Sequence, residues 1–261
     1  MKKYILEFNN VSKHFRPPLL YYNLFTLNLQ RPLTKALINI SFHLEEGKIL
    51  GILGENGAGK TTLLKIISTL ILPDKGSVRV GNFQADKDDD KIKSIIGLVT
   101  CEERSFYERL TGKQNLEFFA SLYGLNSKQT KTRINHLFRL FKIDYSDRLF
   151  NTYSTGMKRK FSLARALLHN PCIILFDEPT KSLDYNSAQE LKALIKNLKN
   201  EGKTIILTTH NIERAENLCD LFMILHKGRI YGFGTFKDLK EKTQSLSANL
   251  AEIYLKLTQR D

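Results

Sequence analysis

The sequence predicts an α/β fold that is interrupted by a helical segment, and three observations support this. Short apolar runs typical of buried strands alternate with segments of helical periodicity along much of the chain. A glycine-rich loop stands between one of these strands and the helix that follows it. From about residue 110 to residue 170 the strand signals stop, and apolar residues recur three and four positions apart. We therefore expect an α/β layer with a mostly helical insert near residues 101–165.

The predicted elements follow one another in a regular order. The apolar run 48–53 predicts a buried strand, and residues 61–70 continue with helical periodicity. The acidic run from Asp86 to Asp90 is expected to form a solvated loop. By the same criteria we expect strands at 77–80, 95–99, 172–176 and 204–207, helices at 115–120, 134–141 and 187–198, and a hairpin at 222–231 that turns at Lys227-Gly228.

Length and composition exclude several classes of protein. The chain has 261 residues, of which 42% are hydrophobic, so disorder is excluded as its main state. The three cysteines, Cys101, Cys172 and Cys219, match no zinc spacing and are too few for a disulfide scaffold. No stretch reaches the roughly 18 uncharged apolar residues that a membrane-spanning helix needs.

The chain is basic, and its excess charge is unevenly distributed. There are 40 Lys and Arg against 27 Asp and Glu, a net charge of +13. Residues 101–170 alone carry 13 basic and 6 acidic side chains. Such a segment can face water, anionic lipid headgroups or nucleic acid. Its basic residues are spread at helical spacing, without an obvious set of interleaved aromatic residues for stacking on bases, so nucleic acid is the least favoured of the three.

A phosphate-binding loop is the strongest single signal. Residues 54–61 fit the pattern G-x-x-x-x-G-K-[ST], with a buried strand before them and a helix after them. Glycines let the backbone bring N–H groups against phosphate oxygens, and the helix N-terminus adds partial positive charge. Lys60 supplies a charge for the β- and γ-phosphates, and the Thr61 hydroxyl can bind Mg²⁺. The nucleotide-binding residues predicted here are Gly54, Glu55, Asn56, Gly57, Ala58, Gly59, Lys60, Thr61 and Thr62.

Two carboxylates form the second part of the predicted site. The apolar run 172–176 leads directly into Asp177 and Glu178, which is not the pattern of an ordinary core strand. Asp177 stands where a carboxylate holds the hydration shell of Mg²⁺. Glu178 is placed to orient or deprotonate an attacking water. The loop and the carboxylates together predict an ATP- or GTP-binding hydrolase of the P-loop NTPase type.

Four segments resemble those of ABC-type ATPases. They are Tyr153-Ser154-Thr155-Gly156-Met157, Asp177-Glu178-Pro179-Thr180, Ser182-Leu183-Asp184 and Thr208-Thr209-His210. Together with the phosphate loop, or Walker A, they are similar in order and spacing to the signature, Walker B, D-loop and H-loop of that family. The resemblance covers roughly residues 4–235.

The resemblance implies a role for each matching residue. Ser154 and Gly156 would bind the γ-phosphate of an ATP held by the opposite subunit, at a helix N-terminus. Asp184 would contact the partner's Walker A. His210 would contact the γ-phosphate and sense its loss, which makes Glu178 and His210 the predicted catalytic residues.

Phe15 is the weakest of these assignments. It is similar to the aromatic residue that stacks on adenine in the family, but it can also belong to the core, and Tyr21 and Tyr22 are rival candidates. Residues 17–34 resemble an insertion, for which we expect a packed surface loop or a contact with a partner.

Two motifs depart from the family pattern. The signature is Y-S-T-G-M instead of L-S-G-G-Q, a form similar to that of drug-resistance and polysaccharide exporters. The segment that corresponds to the Q-loop of the family has no Gln. Counting from the upstream strand places Cys101 at the position of that Gln, and counting back from Leu110 places Glu102 at it.

The resemblance also implies an architecture. It implies one ABC ATPase domain over residues 1–261, with a small N-terminal antiparallel β portion. Its parts would be a RecA-like core at about 1–100 and 166–235, a helical subdomain at about 101–165 and a C-terminal helical tail at 236–261.

The implied role is an ATP-binding and ATP-hydrolysing subunit that powers transport, with export favoured by the signature variant. ATP and Mg²⁺ would be the cofactors. One Walker A and one signature per chain imply a homodimer, or a heterodimer with a related ATPase subunit. An integral membrane permease would be the further partner, at the cytoplasmic face of the cell membrane, and no nucleic acid is expected. Two alternatives remain: a soluble ABC-type ATPase that acts on ribosomes or nucleic acid, and a P-loop kinase for a small molecule.

Overall fold

The structure, a computed structural model, describes residues 4–16, 33–100, 106–180, 183–245 and 247–259, without the side chain of Arg214. The chain divides into two units, Met1–Asp89 with Thr208–Asp261, and Asp90–Leu207.

Some predictions lie outside the described residues. They concern the segment 17–32 with Tyr21 and Tyr22, the choice between Cys101 and Glu102, and Ser182 of the D-loop.

The secondary structure contains every strand and helix that the sequence predicted, with ends shifted by a few residues. The strands are β1 (Tyr4–Phe15), β2 (Thr34–Glu45), β3 (Ile49–Leu53), β4 (Lys75–Val80), β5 (Phe83–Gln84), β6 (Ile96–Val99), β7 (Ile173–Phe176), β8 (Thr204–Thr209), β9 (Leu221–His226) and β10 (Arg229–Gly234). The helices are α1 (Lys60–Ile67), α2 (Asp89–Ile95), α3 (Gly112–Leu122), α4 (Ser127–Phe141), α5 (Thr155–Leu167), α6 (Tyr185–Asn200), α7 (Ile212–Glu216), α8 (Phe236–Lys242) and α9 (Leu250–Thr258).

The first unit contains the antiparallel strands at the N-terminal side of the chain. Strands β2, β1, β4 and β5 form an antiparallel sheet in that order. Phe8 of β1 stacks on Phe42 of β2 with their ring centroids 4.9 Å apart, and both side chains are buried. Cross-strand aromatic pairs of this kind help to fix the register of a sheet. The expected small antiparallel β portion is confirmed.

A second group of strands in this unit carries the phosphate loop. Strand β3 is buried along its whole length and pairs with β9 in parallel, while β9 and β10 form the expected hairpin. Lys227 and Gly228 at its turn have φ angles of 44° and 74°, the left-handed conformation that two-residue hairpin turns require. The Gly228 carbonyl accepts a hydrogen bond from the Ile38 N–H at 2.8 Å, which ties the turn to β2.

The second unit combines parallel strands with a helical part. Strands β6, β7 and β8 pair in parallel in that order, and the buried side chains of β7 are typical of a strand covered on both faces. In the helical part, Phe106 stacks on Phe150 at 4.5 Å between ring centroids, and the buried Phe161 packs edge-on against both. Phe161 belongs to α5, so this aromatic core includes the buried side of that helix.

The C-terminal helices pack on the first unit. Helices α8 and α9 bury one face each, and they share a cluster with the end of β3 and with β9. The members of this cluster are Leu53, Ala215, Phe222, Ile224, Leu239, Ala248, Leu250, Ile253, Tyr254 and Leu257.

The acidic run is only partly a loop. Asp89 and Asp90 form the first turn of α2, so the loop prediction is wrong for these two residues. Carboxylates are stabilised at helix N-termini because the partial positive charge there attracts them. The Asp89 carboxylate also accepts a hydrogen bond from the Asp86 N–H at 2.8 Å, which closes the turn before the helix.

No helix within the described residues is both long and apolar enough to cross a membrane. The division into a RecA-like core, a helical subdomain and a tail stays a prediction.

Candidate active site

The phosphate loop needs glycine at Gly54 and Gly59 for reasons of space. A Cβ on Gly54 would lie 2.4 Å from the Leu225 carbonyl oxygen, and one on Gly59 would lie 2.5 Å from the Ala36 carbonyl oxygen. Gly57 differs, because its φ of +84° favours glycine while no atom of the described residues lies within 4 Å of a Cβ there. The loop is therefore closely packed at both ends and open at its middle, where a phosphate group needs room.

Lys60 is held inside this loop. Its Nζ donates hydrogen bonds to the carbonyl oxygens of Gly54 at 2.7 Å and Glu55 at 3.1 Å, and the residue is 5% exposed. A buried ammonium needs such partners, because burial without them costs several kcal/mol. The same charge lies at the start of α1, whose N-cap Gly59 has no side chain to cover the helix end. The arrangement concentrates positive charge where phosphate oxygens would bind.

The neighbouring hydroxyls are accessible to a ligand. Thr61 is exposed and Thr62 is half-buried in the first turn of α1. Two backbone hydrogen bonds fix the loop. The Ala58 N–H donates to the Glu55 carbonyl at 3.2 Å, and the Gly228 N–H of the hairpin turn donates to the Ala58 carbonyl at 3.1 Å. Asn56 is exposed at the outer side of the loop.

Phe15 and His210 are exposed residues at strand ends of the same unit. Phe15 ends β1 and is 41% exposed, with the Lys13 ammonium 5.6 Å from its ring centroid. The ring is therefore available for stacking, and the alternative that it packs in the core is wrong. His210 follows the buried strand β8, where the Thr209 hydroxyl accepts the Asn211 N–H at 2.9 Å and turns the chain.

Asp177 and Glu178 leave the end of β7 in the second unit. The Asp177 N–H still donates to the Val99 carbonyl at 3.0 Å, so this residue continues the strand pairing. Glu178 has a φ of 50°, and both side chains are half-buried. A non-glycine residue in the left-handed region costs free energy and is concentrated at functional sites. The backbone thus turns sharply at the residue that the sequence predicts as the catalytic base.

The signature begins α5. Ser154 is the N-cap, and its hydroxyl accepts a hydrogen bond from the Met157 N–H at 3.3 Å. Gly156 is exposed, has no left-handed φ, and a Cβ on it would meet nothing closer than the Ser154 Oγ at 4.0 Å. No described residue of the chain fills the space that a Cβ at this position would take.

Tyr153 anchors this exposed segment to the aromatic core. It is 5% exposed, and its hydroxyl donates to the Tyr145 carbonyl at 2.9 Å. Burial raises the pKa of Tyr153 to about 12, so the phenol stays protonated and remains a donor. A Cβ on Gly112 would lie 2.2 Å from the Tyr153 hydroxyl, so this glycine gives the ring its space. The tyrosine of Y-S-T-G-M is therefore a structural residue.

Asp184 is the exposed N-cap of α6. Its carboxylate accepts the Ser187 N–H at 2.9 Å and the Ser187 hydroxyl at 2.6 Å. These hydrogen bonds, the hydroxyl's first, lower the pKa of Asp184 and keep it ionised. Tyr185 next to it is 76% exposed. The start of α6, like that of α5, thus presents polar groups on the surface of its unit.

The described residues contain no group of three or more His, Cys, Asp or Glu side chains that could hold a metal ion. Mg²⁺ usually keeps several waters and takes only one or two protein ligands beside substrate phosphates. Thr61 in the first unit and Asp177 in the second unit each carry an oxygen donor of the type that this ion prefers.

Sequence reasoning missed one neighbour of the phosphate loop. Tyr254 of α9 lies beside Glu55, which contributes to the shift in its pKa. Leu250, Ile253, Tyr254 and Leu257 stand at helical spacing, which is enough to predict a helix with one apolar face. The spacing carries no information on what that face covers.

Comparisons with known proteins decide the family. The family model described as "ABC transporter" matches residues 37–181, more than half of the chain. The chain belongs to the ABC transporter family. The ABC transporter ATP-binding protein NatA of Bacillus subtilis is 40% identical over 221 residues, covering 84% of this chain and 90% of NatA. The daunorubicin/doxorubicin resistance ATP-binding protein DrrA of Streptomyces peucetius is 33% identical, covering 85% of this chain and 66% of DrrA.

Solved ABC structures share the fold. An ATP-binding subunit of an ABC transporter superposes with a TM-score of 0.81 at 28% identity, covering 97% of this chain and 99% of that one. A dimeric ATP-binding cassette in a post-hydrolysis state with ADP and Pi has a TM-score of 0.74 at 26% identity, covering 88% and 98%. This ABC chain is the ATP-binding subunit of a transporter and an ATP hydrolase, and the P-loop ABC ATPase fold is confirmed. The ribosome, nucleic-acid and kinase alternatives find no support in these relatives.

Proposed function

We propose that this ABC ATPase drives export through a separate membrane permease, and that two ATPase subunits close on ATP between them. The observation that carries the proposal is the exposed start of α5, where Ser154 and Gly156 stand on the surface of their unit. A helix N-terminus with a serine cap and an unobstructed glycine has the chemistry to bind a phosphate group. Because each chain has one Walker A and one signature, a second subunit is needed to complete two sites.

The phosphate loop would hold the ATP of its own subunit. Lys60 would turn from the Gly54 and Glu55 carbonyls toward the β- and γ-phosphates, and the amides of the loop would bind their oxygens. Gly57 gives the loop the open middle that this contact requires. Phe15, exposed at the end of β1, would stack on adenine.

Mg²⁺ would be bound directly by the hydroxyl of Thr61. Asp177 would bind one of the waters that the ion keeps. The bound ion neutralises charge that develops on the phosphates during transfer. Both residues offer hard oxygen donors, the type of ligand that Mg²⁺ prefers.

Hydrolysis would depend on Glu178 and His210. The Glu178 carboxylate would orient a water and accept a proton from it as the water oxygen attacks the γ-phosphorus, and the β–γ bridging oxygen leaves with ADP. His210, exposed at the end of β8, would contact the γ-phosphate and respond to its loss. Asp184, kept ionised on the surface, would contact the Walker A of the second subunit.

Export and the membrane location are supported by the relatives and by the chain's charge. DrrA and the linearmycin resistance ATP-binding protein LnrL of Bacillus subtilis are named as resistance proteins, a role that fits removal of a compound from the cell. The excess of basic residues in 101–170 favours a position near anionic lipids, at the cytoplasmic face. For this role we retain a RecA-like core at about 1–100 and 166–235 and a helical subdomain at about 101–165.

The partner is tested by native purification of the tagged chain from detergent-solubilised membranes. We expect a multi-span membrane protein to co-purify in a fixed ratio and to change the ATPase rate of the chain when the two are recombined. Recovery of ribosomes or nucleic acid in place of a membrane protein would contradict the proposal.

A further inference from the structure

The C-terminal helix α9 contacts the strand that leads into the phosphate loop. Leu53, the last residue of β3, lies in one buried cluster with four residues of α9, and the loop begins at the next position. The four α9 residues are Leu250, Ile253, Tyr254 and Leu257. Close-packed interiors transmit small displacements, and this cluster joins α9 to the base of the loop.

The same helix is tied to the segment behind His210. Helix α7 begins just after His210, and its Ala215 lies in the cluster that α9 covers. The Glu216 carboxylate accepts a hydrogen bond from the Leu250 N–H at 3.3 Å, at the first turn of α9. Helix α9 therefore contacts both of the elements in this unit that adjoin the proposed phosphate-binding residues.

Tyr254 places an unpaired hydroxyl beside the loop. The residue is 6% exposed, and its hydroxyl makes no hydrogen bond within the part of the chain that the structure describes. Burial is the main cause that raises the pKa of Tyr254; the Glu55 carboxylate raises it further, and the Glu55 backbone amide lowers it. The Glu55 amide and the Tyr254 hydroxyl are therefore neighbours, and Tyr254 also shares the buried cluster with Leu53, two positions before Glu55. Buried hydroxyls almost always have a partner, and this one is adjacent to the Glu55 peptide.

The opposite side of the same peptide explains when such a bond is needed. The Glu55 N–H belongs to the Gly54–Glu55 peptide, whose carbonyl oxygen is that of Gly54 and accepts a hydrogen bond from the Lys60 Nζ at 2.7 Å. When Lys60 turns toward phosphate, this peptide loses the contact at its carbonyl oxygen. A hydrogen bond from the Glu55 N–H to the Tyr254 hydroxyl would then hold the peptide from the other side.

We propose that Tyr254 is a positioning residue of the phosphate loop, whose hydroxyl accepts a hydrogen bond from the Glu55 N–H when ATP is bound. This rests on the proposed binding of ATP at the loop. Nucleotide binding then draws α9 more tightly onto its unit, so that the C-terminal helix responds to the occupancy of the site.

The variant Tyr254→Phe tests the role of the hydroxyl and keeps the ring that fills the cluster. We expect it to weaken Mg-ATP binding by about threefold to tenfold, the loss of one ordinary hydrogen bond, and to raise KM for ATP more than it lowers kcat. Tyr145→Phe is the matched control, because the Tyr145 hydroxyl is also buried and makes no hydrogen bond to any residue that the structure describes. The control is expected to bind ATP like the wild-type chain.

Hydrogen exchange on the wild-type chain gives a second measurement that needs no variant. ATP is expected to slow exchange of the Glu55 amide and of the α9 amides, and Tyr254→Phe is expected to abolish the effect at Glu55. Equal ATP affinity in Tyr254→Phe and wild type, or wild-type exchange at Glu55 and α9 that ATP leaves unchanged, would overturn the proposal. A wild-type chain that does not bind ATP would instead show that the proposed function is wrong.

Discussion

The Lys60 ammonium donates a 2.7 Å hydrogen bond to the carbonyl oxygen of Gly54, six residues earlier in the same loop. This bond places a buried cation at the centre of the phosphate loop. A ligand can bind the cation only by competing with backbone carbonyls, and a multiply charged phosphate chain is such a competitor.

Removing this cation should weaken nucleotide binding. In Lys60→Met the charge is lost while much of the apolar stem is retained, so we expect the Kd for Mg-ATP to rise by about tenfold to a hundredfold. Lys65→Met is the control, because Lys65 is exposed in the last turn of the same helix α1. Isothermal titration of both variants measures the difference, and equal affinities would exclude Lys60 as a phosphate ligand.

Replacement by alanine should have different effects on stability at Gly54 and at Gly156. Gly54→Ala places a Cβ 2.4 Å from a carbonyl oxygen, and we expect it to lower the free energy of unfolding by about 1–3 kcal/mol. Gly156→Ala has open space and a helical backbone, so its stability should be unchanged or higher by about 0.5 kcal/mol. If the signature binds a nucleotide from a second subunit, Gly156→Ala should nevertheless lower the ATPase rate. Normal turnover in this well-folded variant would contradict that role.

The hydrogen bond that holds Tyr153 of the signature in place can be tested by comparing two buried tyrosine hydroxyls, those of Tyr153 and Tyr145. Tyr153→Phe removes the hydrogen bond to the Tyr145 carbonyl, for which we expect a loss of about 1 kcal/mol in the free energy of unfolding. Tyr145→Phe removes a buried hydroxyl that has no hydrogen-bond partner among the described residues, so it should be neutral or slightly stabilising. Denaturant titration separates the two, and an equal loss in both would show that the Tyr153 bond contributes nothing.

His169 should make the chain sensitive to acid. Burial is the main cause that lowers its pKa from 6.5 to about 4, and the ring stacks on Tyr123 with its Nε2 3.0 Å from the Ile96 carbonyl oxygen. The folded state therefore binds this proton less readily than the unfolded state. The contribution of the neutral His169 ring to stability is complete above pH 6.5. It falls by on the order of 2–3 kcal/mol as the pH drops toward 4.

The test is the unfolding free energy between pH 7 and pH 4.5. His169→Gln keeps a donor for the Ile96 carbonyl but does not titrate, so its stability should depend less steeply on pH. An identical slope in the variant and the wild type would assign the acid sensitivity to other groups.

Much of the fold and the site was predictable because the signals are local. The loop 54–61 requires a fixed spacing of residues, and the buried strand 172–176 ends directly at its carboxylates, so both are visible in the sequence. The left-handed backbone of Glu178 was not predictable, because tertiary context imposes it on a residue that does not favour it. The contact of Tyr254 with the loop was also hidden, because it joins positions about 200 residues apart and depends on how α9 packs. Asp89 and Asp90 were assigned to a loop because short acidic runs fit both a solvated loop and a helix N-terminus.

The most direct test of the account is the oligomeric state of Glu178→Gln with Mg-ATP, measured by light scattering after size exclusion. The variant should bind ATP without hydrolysing it and accumulate as a dimer, and adding Ser154→Ala with Gly156→Arg to it should return the chain to a monomer that still binds ATP. A Glu178→Gln chain that stays monomeric with one ATP bound, or that hydrolyses ATP at the wild-type rate, would contradict the account.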